Sequence, residues 1–70
     1  MDNQCIKENI LDFVKSWEHS VPNVTIVREI SEKCSCSPDK IDALIEELHF
    51  EDKIEMDNGY FGYNIKWRVV

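Results

Sequence analysis

The apolar residues change their spacing once, just after Phe50, and that change limits what the chain can fold into. Before it, hydrophobic positions recur every three or four residues, the period of a helix with one buried stripe. After it, Lys53 to Asp57 alternates, with Ile54 and Met56 on one side and Glu55 and Asp57 on the other. Alternation of this kind belongs to a half-buried strand. Asn58-Gly59 follows, a pair that tolerates positive φ at both positions and predicts a hairpin turn. Tyr60, Phe61, Tyr63, Ile65, Trp67, Val69 and Val70 then give an aromatic and β-branched return strand, with Gly62 marking a bulge or a longer tip.

The helical part divides into three. Ile6, Ile10, Phe13, Val14 and Trp17 form one stripe, with Lys7, Glu8, Asp12, Lys15 and Glu18 as its polar complement. This predicts a first helix of about 15 residues. Leu11 lies off the stripe, free to meet the C-terminal strands or a second copy of the chain. Ser20-Val21-Pro22-Asn23 breaks the pattern. A shorter helix is expected from Val24, capped by Thr25, with Val27, Ile30 and Cys34 inward. Ser37-Pro38-Asp39 then reads as a helix start: a serine cap, a proline where no amide is needed, and an acid in the first turn. The third helix carries Ile41, Leu44, Ile45 and Leu48 inward and Asp42, Glu46 and Glu47 outward.

Three helices followed by a hairpin define an α+β chain, and residues 1–70 are expected to form one domain. From about Val24 to Val70 the chain resembles the winged-helix superfamily, on the run Glu29-Ile30-Ser31-Glu32-Lys33-Cys34-Ser35-Cys36-Ser37 followed by Ile41, Leu44, Leu48 and Ile54. The resemblance implies a helix-turn-helix with a C-terminal β-hairpin wing. Members of that superfamily usually have glycine where Ser35 stands here, and often where Asp52 stands. Winged helices that bind left-handed DNA also end in a tryptophan, which Trp67 resembles. They use asparagine and tyrosine on the third helix and prolines in the wing. Here the helix positions are Asp42 and Glu46 and the wing has no proline, so that function is not carried over.

The placement of charge bears most directly on function. The chain carries a formal charge of -6, and residues 37–57 hold eight carboxylates against only Lys40 and Lys53. The remaining acids and bases balance. An acidic field repels phosphate backbones and favours basic partners. Bases are read by Arg, Lys, Asn and Gln, and phosphates by Lys and Arg, yet the third helix offers Lys40 alone. Two functional readings are open. In the first, a regulatory or adaptor module acts through protein contacts, with Asp39, Asp42, Glu46 and Glu47 facing a basic partner. In the second, a transcription regulator binds DNA through its wing as a dimer, using Lys40, Tyr60, Tyr63, Lys66 and Arg68. If Trp67 faces inward with Ile65 and Val69, Lys66 and Arg68 face out together. A purely structural subunit of a larger complex is a third possibility.

Chemistry is not expected. No nucleophile, base and orienting group can be assembled around His19 or His49, each placed at a helix C-terminus. Cys34-Ser35-Cys36, with Cys5 and His49 far off in sequence, lacks the spacing of a structural zinc site, and its two cysteines fall at apolar positions. No cofactor or metal is expected. Three cysteines and no signal-like start predict free thiols in a cytoplasmic setting, and no stretch is long enough for a membrane span.

Overall fold

The structure is a computed structural model, and it describes residues 2–57 and 65–70. In chain order the described elements are α1 (Asn3–Lys15), β1 (Val21–Pro22), α2 (Asn23–Cys34), α3 (Pro38–Phe50), β2 (Ile54–Met56) and β3 (Lys66–Val69). This is the α+β layout expected of a winged-helix-like chain: three helices with a small antiparallel sheet. The sheet has the order β1-β3-β2, with Val21 opposite Trp67, Ile54 opposite Val69 and Met56 opposite Trp67. The turn expected at Asn58-Gly59 lies outside the described residues, as do Tyr60, Phe61, Gly62 and Tyr63.

Each helix end has a local cause. Asp2 caps α1 by accepting a 2.8 Å hydrogen bond from the Cys5 amide. Ser37 caps α3 as its sequence predicts, accepting from the Lys40 amide, with Pro38 in the first turn. The start of α2 differs from expectation. Pro22 occupies the cap, no side chain caps the helix, and Thr25 lies inside the first turn. The sheet replaces the missing cap, because the Asn23 amide donates to the Ile65 carbonyl at 2.9 Å. One of the amides that a helix start leaves without a partner is thereby satisfied. Val21-Pro22, expected only to break the first helix, forms β1 at one edge of the sheet.

Both α2 and α3 end on a left-handed residue. Ser35 has φ 53° and Asp52 has φ 59°. After each, an amide reaches back five residues, Cys36 to the Ser31 carbonyl and Lys53 to the Leu48 carbonyl. Glycine favours this arrangement because it has no Cβ to collide with the chain. Ser35→Gly is therefore expected to stabilise the fold by about 1 kcal/mol, and Asp52→Gly by less, since aspartate tolerates the left-handed region better than serine. Urea unfolding checks this: the midpoint should rise with the slope unchanged.

The core takes Ile6, Ile10 and Val14 from α1, and Ile26, Ile30 and Cys34 from α2. The third helix gives Ile41, Leu44, Ile45 and Leu48, all buried as expected, and the sheet adds Val21, Ile54 and Trp67. Several assignments differ from the sequence reading. Ile26 is fully buried while Val24 is exposed and Val27 only partly covered, because α2 starts at Asn23 and its stripe is set accordingly. Trp17 is 41% exposed, because α1 stops at Lys15 and the ring leaves the stripe. His19 likewise lies beyond the end of α1. Met56 shares the face of Ile54 but remains 37% exposed at the edge of the sheet.

Lys7 is the largest departure. It is buried, and its ammonium sits 2.9 Å from Glu51 and 3.3 Å from Glu47, tying α1 to the end of α3. The hydrogen bond to Glu51 raises its pKa above the ordinary 10.5; burial opposes this and Glu47 adds to it. A raised pKa in the folded state contributes stability that is complete below the unfolded value and is lost as pH climbs through the folded value. The stability of the wild type relative to Lys7→Met should therefore fall as pH rises above 10.5. Parallel thermal melts of the two proteins at neutral and strongly alkaline pH measure it; a constant difference would contradict it.

Candidate functional site

The start of α2 lies against the start of β3, and this junction places Asn23 between the sheet and α3. Its side-chain oxygen accepts a 2.9 Å hydrogen bond from the Trp67 indole N–H, and its Nδ2 donates to Asp42 Oδ1 at 3.1 Å. An indole N–H can only donate and a carboxylate can only accept, so the two partners fix which way the amide points. Trp67 is buried, as the inward-facing alternative required, with Ile65 and Val69 packed against the core beside it. The His49 ring meets it edge-on with centroids 5.1 Å apart.

Beside this junction is a groove of about 430 Å³. Asp39, Asp42 and Glu46 line one side, and Asn23, Ile65 and Trp67 the other. Ala43 adds exposed apolar surface on the helix side, and Ile45 backs the groove from within the core. The acids stand at spacings of three and four residues, which puts them on one face of α3. All three are exposed, and among the described residues no ion pair neutralises any of them.

The candidate acids do not all gather there. Glu47 faces α1 and is engaged by Lys7, so it belongs to the packing of two helices and is absent from the groove lining. The bases proposed for nucleic acid are dispersed. Lys40 is exposed in the first turn of α3. Arg68 is exposed but committed: its Nε donates to Glu55 at 2.8 Å and its Nη1 lies 3.6 Å from Asp57. Lys66 and Arg68 do line a common cleft of about 790 Å³ with Lys15, His19 and Trp17. Glu18 and Asp57 line it too, and the Ser20 hydroxyl donates to Asp57, so two acids offset part of the charge of Lys15, Lys66 and Arg68 there. Tyr60 and Tyr63 lie outside the described residues.

Cys34 is buried, Cys36 is half-buried against the core with its thiol on the Cys34 carbonyl, and Cys5 is exposed. The two helix-end cysteines thus occupy the apolar positions expected of them. Among the described residues, no group of three or more His, Cys, Asp or Glu side chains is arranged to hold a metal. No described helix is long and apolar enough to cross a membrane.

Two residues that matter here were not singled out in the sequence. Asn23 carries no periodic signal, since its role comes from a strand pairing across 44 positions of chain. Lys7 did carry one: it stands three and seven residues before Ile10 and Val14, on their stripe. Comparison with family models, curated proteins and solved structures gives no match for this chain.

Proposed function

We propose that this protein is a small adaptor or regulatory module that works through protein contacts, and that the groove between α3 and β3 receives a basic segment of its partner. One observation carries the reading: Asp39, Asp42 and Glu46 line the same groove, without ion pairs among the described residues, beside apolar surface from Ala43 and Ile65. Carboxylates in that state attract cations at long range, and the apolar surface beside them adds contact area once a partner arrives. The reading involves no catalytic step and no cofactor. It is compatible with a cytoplasmic setting, where three free cysteines stay reduced.

Wing-mediated DNA binding is the competing reading. It would require Arg68 to leave Glu55 and Asp57, or phosphates to approach beside those carboxylates. Phosphate contacts supply most non-specific DNA affinity, and they weaken steeply with salt. Titrating the protein at low salt with a short arginine-rich peptide and, separately, with random-sequence duplex DNA separates the two. The docking reading expects peptide binding that weakens with added salt, and no DNA binding. DNA binding without peptide binding would overturn it.

A further inference from the structure

We infer that Asn23 is a positioning residue of the groove: it holds the Asp42 carboxylate in one orientation, and that fixed carboxylate selects a guanidinium over an ammonium. The inference rests on the docking reading above and names the group that the groove prefers.

Asn23 is immobilised at three points. Its amide N–H is bound to the Ile65 carbonyl at 2.9 Å, its side-chain oxygen to the Trp67 indole, and its Nδ2 to Asp42. Trp67, the donor behind it, is buried in the core and braced by the ring of His49. An exposed aspartate on a helix ordinarily samples several rotamers, and ordering one on binding costs free energy. Here Asp42 Oδ1 already accepts a 3.1 Å hydrogen bond, which favours one carboxylate orientation before any partner arrives. Oδ2 and the second lone pair of Oδ1 stay available as acceptors.

A planar carboxylate so oriented suits the two parallel N–H bonds of a guanidinium. An ammonium is compact and strongly hydrated, and gains only the charge attraction from the same group. Asp39 and Glu46 flank Asp42 on the helix, but no hydrogen bond from a described residue orients either side chain. They add negative potential without adding direction. Exposed Ala43 and half-buried Ile65 offer the apolar surface on which the alkyl stem of an arginine can lie.

Calorimetric titration with two short peptides, one alternating arginine with alanine and the other lysine with alanine, tests this. The wild type is expected to prefer the arginine peptide by roughly tenfold, the size of one added charge-assisted hydrogen bond. Asp39→Asn should weaken both peptides and keep the ratio. Asp42→Asn, an exposed substitution that leaves the core intact, should bring the ratio close to one. Asn23→Asp retains an acceptor for Trp67 but loses the donor to Asp42, and should collapse the ratio as well. A merely structural Asn23 would lower the melting temperature without moving the ratio. The inference is overturned if Asp42→Asn and Asp39→Asn leave the same preference, or if folded Asn23→Asp keeps the wild-type ratio. If the wild type binds both peptides equally, the docking reading stands and this inference fails. If it binds neither, the docking reading itself fails.

Discussion

Trp67→Ala is expected to remove about 3–5 kcal/mol of stability, the usual cost of truncating a buried tryptophan. The ring belongs to the central strand β3, which pairs with both β1 and β2, and it packs where helices and sheet meet. Its removal leaves a cavity at that junction and deprives Asn23 of its donor. Domains of about 70 residues bury a limited core and sit near the lower end of the common 5–15 kcal/mol range. The variant should therefore be largely unfolded, or close to it, at room temperature. Trp67→Phe separates the two contributions, because it keeps an aromatic ring in the core and loses the indole hydrogen bond. A cost of about 1–2 kcal/mol is expected there. Urea unfolding followed by far-ultraviolet circular dichroism measures both, and a loss below about 1 kcal/mol for Trp67→Ala would contradict the packing described.

Neutralising the groove should have the largest effect on binding. In the variant Asp39→Asn, Asp42→Asn, Glu46→Gln all three sites are exposed, so the core is untouched and charge repulsion along α3 is relieved. With about 0.5–1 kcal/mol for each rim charge, affinity for an arginine-rich peptide at low salt should fall by roughly 10–100-fold. The control changes the net charge equally at Glu8, Glu29 and Glu32, three exposed acids on α1 and α2 that do not line the groove. Repeated at about 0.15 M salt, where the Debye length is about 8 Å, that control should cost less than about threefold, since remote charges are then largely screened. Equal losses in the two triple variants would mean that the peptide responds to overall charge alone.

The elements with strong local causes were legible in the sequence. The inward face of α3 follows from Ile41, Leu44, Ile45 and Leu48, and its start from Ser37-Pro38-Asp39. The left-handed conformations of Ser35 and Asp52 carry no such local signal, since neither residue is a glycine. The less legible features depend on tertiary contact. Two residues of β1 are too few to show alternation, and Val21-Pro22 becomes a strand only because β3 lies beside it. The start of α2 could not be read from caps, because a carbonyl of a remote segment replaces the cap. Lys7 is polar by type, although its spacing matches the stripe; its burial is made tolerable by Glu47 and Glu51, which belong to another helix and its C-cap.

The candidate site divided in the same way. Helical spacing was enough to set Asp39, Asp42 and Glu46 on one face of α3, but it also admitted Glu47, which the structure turns towards Lys7. The opposite side of the groove was not visible in sequence, because Asn23 reaches Trp67 only after the sheet has formed.

The two tryptophans allow a direct test of where the partner binds. Trp67 lines the acidic groove and Trp17 lines the cleft at the end of α1, so their indole N–H signals report on separate surfaces. Titrating an arginine-rich peptide into ¹⁵N-labelled protein, with the indole peaks assigned by Trp67→Phe and Trp17→Phe, would follow both at once. Docking in the groove predicts that the Trp67 indole signal shifts saturably while that of Trp17 stays in place. A shift confined to Trp17, or none in either, would contradict it.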